Sequence, residues 1–140
     1  MKRYMLIDDD ESYLVLNHEM IKLTNPEKEI LEFNSAHAAL EWMDAHCQLP
    51  DKWPGYILLD IRMPFMNGFE FLEKIRQFPA ELLERIKIFM MTSSLDERDF
   101  YKAKDYPFVY NYYSKPLTME MITEIETTQM RNPALLGSGD

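Results

Sequence analysis

Apolar residues fall in short blocks along this chain, and each block stops on a polar residue. Met5-Leu6-Ile7 runs into Asp8-Asp9-Asp10, and Tyr56-Ile57-Leu58-Leu59 ends on Asp60. Ile88-Phe89-Met90-Met91 ends on Thr92-Ser93-Ser94, and Val109 to Tyr113 ends on Ser114-Lys115-Pro116. Each block has the length and content of a buried strand. A shorter one, Glu29 to Phe33, reads as a further strand. Between the blocks the apolar positions recur at helical spacing. Leu14, Leu16, Met20, Ile21 and Leu23 predict a first helix, with Asp10 or Ser12 as its N-cap and Asn25-Pro26 as its stop. Ser35 caps a second helix, with Ala39, Leu40, Trp42 and Met43 on its apolar face. Gln48 to Gly55, with two prolines and a glycine, reads as a loop. After the Asn67-Gly68 turn, Phe69, Phe71, Leu72 and Ile75 predict a third helix. Ser94-Leu95-Asp96-Glu97 fits a capping box that opens a fourth. Thr118 caps a fifth through Met121, Ile122 and Ile125.

Alternating strands and helices imply an α/β fold. The expectation is a doubly wound, five-stranded parallel sheet of order 2-1-3-4-5 with five helices, flavodoxin-like. A single domain over residues 1–130 would then be followed by a flexible tail at 131–140.

In such a sheet, ligands bind outside the carboxyl ends of the strands. Asp8, Asp9 and Asp60 therefore converge with Thr92 and Lys115 on one crevice. An aspartate run after a strand is also an ordinary solvated cap. Asp60 at the end of a second strand changes the weight. Carboxylates that close raise one another's pKa, and a hard divalent cation such as Mg²⁺ relieves the strain. A hydroxyl and an ammonium at neighbouring strand ends suit phosphoryl oxygens. Asp60 is then the natural nucleophile, since a carboxylate can form an acyl phosphate.

Composition narrows the classes. The 140 residues are 46% hydrophobic and 13% aromatic, enough for a full core. The net charge of −9 disfavours a nucleic-acid partner. No apolar stretch reaches the ~20 residues of a membrane span, so no membrane partner is expected. The N-terminus runs straight into a strand, so no signal peptide is expected. One cysteine, Cys47, excludes an internal disulfide and fits a cytoplasmic setting. His18, His37 and His46 show no metal-ligand spacing.

Four segments together resemble the response-regulator receiver domain of two-component signalling. They are Ile7-Asp8-Asp9-Asp10, Leu58 through Gly68, Met91-Thr92-Ser93-Ser94 and Ser114-Lys115-Pro116-Leu117-Thr118. The resemblance spans Tyr4 to about Thr127 and is of the stand-alone, single-domain type. It implies that Asp60 accepts a phosphoryl group from a sensor histidine kinase or histidine phosphotransfer protein. It implies that Asp9 binds Mg²⁺ directly and Asp8 through water, with the Arg62 backbone carbonyl as another ligand. Thr92 and Lys115 would contact the phosphoryl group. Tyr112 would be the aromatic that changes rotamer, so that the fourth helix, fifth strand and fifth helix signal to a downstream protein target. A monomer or weak dimer is expected, and a phosphoacceptor that assists its own phosphorylation and dephosphorylation rather than a turnover enzyme. Arg62 and Ser94 stand where the family tunes phosphate lifetime. The turn before the last strand, Asp105-Tyr106-Pro107-Phe108, departs from the family's small-residue turn. By alternation, Tyr110 and Tyr112 should share one face of that strand and Tyr113 the other.

Three other functions compete, and the complete site argues against the first, a receiver fold that no longer takes phosphate. A haloacid-dehalogenase-type phosphohydrolase needs an acid two residues after the nucleophile, where Arg62 stands. A flavodoxin-like FMN binder needs a Ser/Thr/Gly-rich phosphate loop where three aspartates stand.

Overall fold

A computed structural model describes residues 2–136. Its strands are β1 (Tyr4–Ile7), β2 (Ile30–Phe33), β3 (Tyr56–Asp60), β4 (Lys87–Thr92) and β5 (Val109–Ser114). Its helices are α1 (Glu11–Thr24), α2 (Ala36–Ala45), α3 (Gly68–Ile75), α4 (Ala80–Leu83), α5 (Glu97–Ala103) and α6 (Met119–Thr127). The strands form one sheet of order β2-β1-β3-β4-β5, all neighbours parallel. This is the expected doubly wound fold, with one helix more. The addition is α4, four residues, too short to carry a periodic pattern.

Alternation along the strands splits the core by face. Met5, Ile7, Ile57, Leu59, Ile88 and Met90 point to α2, α3, α4 and α5. Tyr4, Leu6, Leu58, Phe89 and Met91 point to α1 and α6, meeting Leu14, Ile21, Ile122 and Ile125. Both faces are buried, so β1 and β3 read as unbroken apolar runs rather than as alternating ones.

Several details differ from the sequence pattern. The buried stripe of α1 is Leu14, Asn17 and Ile21, while Leu16 and Leu23 are exposed. Helix α5 is capped by Asp96, whose side chain accepts from the Arg98 N–H, and not by Ser94. The capping box sits instead at Asn67 and Glu70, opening α3. Tyr110 lies with Tyr113, not with Tyr112. A register shift between Ile88 and Phe89 inserts Tyr110 as an extra residue opposite β4. Tyr110 and Tyr113 therefore both pack on Phe89, and Tyr112 faces the other way.

The chain does not leave the domain at residue 131. The Arg131 guanidinium donates to the carbonyls of Val109 (2.8 Å) and Tyr106 (3.0 Å). The Asn132 N–H donates to the Tyr110 carbonyl at 2.8 Å, along the outer edge of β5. Leu135 is fully buried. Residues 131–135 of the expected tail are thus held against the domain, and residues 137–140 lie outside the described residues. Buried apolar area and the edge-strand hydrogen bonds hold this segment down.

Candidate phosphoacceptor site

The crevice forms at the carboxyl ends of β1, β3, β4 and β5. Asp8 and Asp60 are 4% exposed and Thr92 is 1% exposed, whereas Asp9 is exposed. Burial of charge at this level requires a partner. Lys115 supplies it, with Nζ 2.7 Å from Asp8 Oδ2 and 3.1 Å from Asp60 Oδ1. The ammonium also lies over the Tyr13 ring, 4.3 Å from its centroid.

Local backbone structure sets each of these groups. The Asp10 N–H donates to Asp8 Oδ1 at 2.9 Å, which fixes one carboxylate oxygen and leaves Oδ2 for Lys115. Gly68 backs the Asp60 strand end, and a Cβ there would lie 2.8 Å from the Asp60 carbonyl oxygen. Any larger residue would push the loop off the site. Within that loop Phe65 has φ 68°, and the Met66 N–H donates to the Pro64 carbonyl at 2.7 Å. This tight turn leaves the Phe65 ring 95% exposed at the rim. Lys115 is placed by its own N–H, which donates to the Thr92 carbonyl at 2.7 Å. The next bond, Lys115-Pro116, is cis. Asn17, buried on α1, accepts from the Leu117 N–H at 3.4 Å. The sequence pattern offered no sign of that tie, because the two residues are 100 positions apart.

Charge does not balance here. Burial pushes the Asp60 carboxyl up to about 7, and the Asp8 carboxylate adds to the effect, while Lys115 opposes it. Burial disfavours the charged form of Lys115, but Asp8 and Asp60 outweigh that and hold the ammonium above its ordinary pKa. One cation is therefore shared by two buried carboxylates, with a third beside them. Ligand oxygens of Asp8, Asp9 and Asp60 all lie within 4.8 Å of one another. An all-oxygen set with surplus negative charge fits a hard divalent cation.

Thr92 Oγ1 is engaged locally. It donates to the Ser94 carbonyl at 3.0 Å and accepts from the Ser94 N–H at 3.2 Å. Tyr112, the aromatic expected to change rotamer, is 9% exposed and lies inward. Its ring meets Phe100 edge-on at 5.8 Å. The Arg62 side chain points away from the crevice to Asp99 of α5, 37 residues on, a contact that no local pattern foretells. No helix among the described residues is long and apolar enough to cross a membrane.

The protein-family model for the response regulator receiver domain matches residues 4–126. The probable methanogenesis regulatory protein FilR2 of Methanothrix harundinacea is 27% identical over 116 residues, which are 83% of this chain and 73% of FilR2. Response regulator Rcp1 of Synechocystis is 28% identical over 99 residues, 70% of this chain and 66% of Rcp1. Among solved structures, a two-component response regulator from Cytophaga hutchinsonii superposes with a TM-score of 0.82 at 32% identity. The match covers 89% of this chain and 92% of that one. Residues 4–126 contain all four strand-end segments that form the crevice, and this chain belongs to the response-regulator receiver family.

Proposed function

We propose that Asp60 accepts a phosphoryl group from a phosphohistidine of a sensor histidine kinase or histidine phosphotransfer protein. The observation that supports this most is the two-carboxylate, one-ammonium imbalance at the carboxyl end of the sheet. An Asp60 carboxylate oxygen attacks phosphorus, the histidine N–P bond breaks, and its electron pair returns to the ring. The ring leaves as neutral imidazole after protonation from solvent. Lys115 lies beside Asp60 and is placed to hold the phosphoryl oxygens as they arrive. Asp8, Asp9 and Asp60, with the backbone carbonyl of Arg62, would hold Mg²⁺, Asp9 directly and Asp8 through water. A bound Mg²⁺ would keep Asp60 ionised and offset the charge of the incoming group. The same groups would assist hydrolysis of the acyl phosphate, so the chain acts as a self-resetting switch and not as a turnover enzyme.

Output runs through the face made by α5, β5 and α6. A phosphoryl group on Asp60 competes for the Thr92 hydroxyl, which must give up Ser94 to reach it. That reshapes the turn leading into α5. Tyr112, one strand over from Thr92, reports the change. Its inward position before phosphorylation favours a balance between two arrangements over a single event. The reader of this face is a downstream protein in the cytoplasm, and the receiver itself works as a monomer or weak dimer. Net charge −9 argues against nucleic acid as the target.

Amide NMR with and without beryllofluoride, a phosphoryl mimic, tests the switch. Shifts should extend from Thr92 through Leu95–Lys102 and Tyr110–Lys115, and Thr92→Ala should abolish the distant ones. Shifts confined to the surroundings of Asp60 would contradict transmission.

A further inference from the structure

Arg62 follows Asp60 by two residues, yet its side chain serves another part of the fold. Its guanidinium donates to the Asp99 carboxylate on the first turn of α5. Asp99 is 6% exposed, so its charge has been taken out of water and depends on a counterion. The ion pair therefore fastens α5 to the loop that follows the phosphoacceptor.

Tyr112 packs on α5 at the residue that follows Asp99. Its ring is inward against Phe100 of the same helix. Its hydroxyl is buried beside the Asp96 backbone and, among the described residues, makes no well-formed hydrogen bond. A buried hydroxyl so weakly partnered is an unfavourable arrangement. β5 is an edge strand, so water lies one rotamer change away. Apolar contact with Phe100 alone leaves that route open. Burial raises the pKa of this hydroxyl, and Asp99, Arg62 and Asp96 all lie close enough to bias its ionisation.

We propose that the Arg62–Asp99 ion pair is a lock that keeps Tyr112 inside before any phosphoryl group arrives. By pinning α5 over the ring, the pair sets the starting position of the switch. Free protein then presents its α5–β5–α6 face in the tyrosine-in arrangement. Arg62 is thus a positioning residue for that face, in addition to any part its carbonyl plays at the cation. The inference goes beyond the phosphoacceptor reading and rests on it only in naming this face as the output.

The test uses the full chain labelled with 3-fluorotyrosine, with the Tyr112 signal assigned from Tyr112→Phe. In free wild type the signal should be shielded from a soluble paramagnetic gadolinium chelate. Asp99→Asn and Arg62→Gln should each expose it, with a several-fold larger broadening by the chelate. The charge-swapped double variant Arg62→Asp/Asp99→Arg should return it to the shielded position. If either single variant does not melt cooperatively, the neutral pair Arg62→Gln/Asp99→Asn decides, because it leaves no buried charge without a counterion. Single variants that fold and keep Tyr112 as shielded as wild type would overturn the lock. So would a folded charge swap that leaves the ring exposed. Beryllofluoride is added in a separate arm. Failure to perturb Asp60 there would count against the phosphoacceptor reading, and the lock, measured in free protein, would stand or fall independently.

Discussion

Each end of the sheet holds a largely buried lysine set against carboxylate, and the two ends are built differently. At the amino ends of the strands, Lys28 is 3.5 Å from Glu126 and lies over the rings of Tyr4 and Tyr56, 5.8 and 5.6 Å from their centroids. Glu126 also accepts from the Tyr4 hydroxyl at 2.7 Å. Burial, and then this carboxylate, push the Tyr4 phenol well above its ordinary pKa, so it stays a donor. Lys28 meets one carboxylate, aromatic faces and a hydroxyl complete its shell, and Lys2 adds a second cation 5.5 Å from the Tyr56 ring centroid. At the carboxyl ends, Lys115 faces Asp8 and Asp60 together, with Asp9 at the rim. Similar chemistry is closed at one end, and open and over-charged at the other. Burial makes both clusters stiff, but only the over-negative one has free energy to gain from a cation.

Removing each lysine sharpens the contrast. Lys115→Met should cost about 3 kcal/mol in EDTA, because two buried carboxylates lose their counterion. Mg²⁺ should recover more stability in this variant than in wild type, since the site it binds has become more negative. Urea unfolding with EDTA and with Mg²⁺ measures both quantities. Equal Mg²⁺ gains in the two proteins would break the charge argument.

Lys28→Met should cost less, about 2 kcal/mol, because Glu126 is 27% exposed and keeps some water. The same unfolding curves should show a Mg²⁺ gain no different from wild type. A loss of the Mg²⁺ effect would mean that the two ends of the sheet are not independent.

How much of this contrast could be read in the sequence follows from how far apart the partners lie. The carboxyl-end cluster is legible because each member ends an apolar run, and the doubly wound topology brings such ends together. Asp8, Asp60, Thr92 and Lys115 were placed by that rule alone. The amino-end cluster has no such rule. Lys28 lies in a turn and Glu126 on α6, and only the folded sheet brings them together. The Arg62–Asp99 and Arg131–Val109 contacts are illegible for the same reason. Tyr110 was misplaced because strict alternation cannot foresee a bulge. Ser94 lost the α5 cap to Asp96 because both are good caps two residues apart, and the chain chose the one that begins the helix later.

The smallest effect should come from Asp9, which is exposed. Asp9→Asn should leave apo stability equal to wild type or higher by up to ~0.5 kcal/mol, because a like-charge neighbour is removed. Its Mg²⁺-induced rise in melting temperature should shrink. A variant that melts well below wild type in EDTA would make Asp9 a structural residue, and the unbalanced end would lose one of its three carboxylates as a ligand.

The most direct measurement is an intact mass after incubation with acetyl phosphate and Mg²⁺. Wild type should gain one phosphoryl group, and Asp60→Asn should gain none. A phosphoryl adduct retained on Asp60→Asn would contradict the assignment of the over-charged end of the sheet as the phosphoacceptor site.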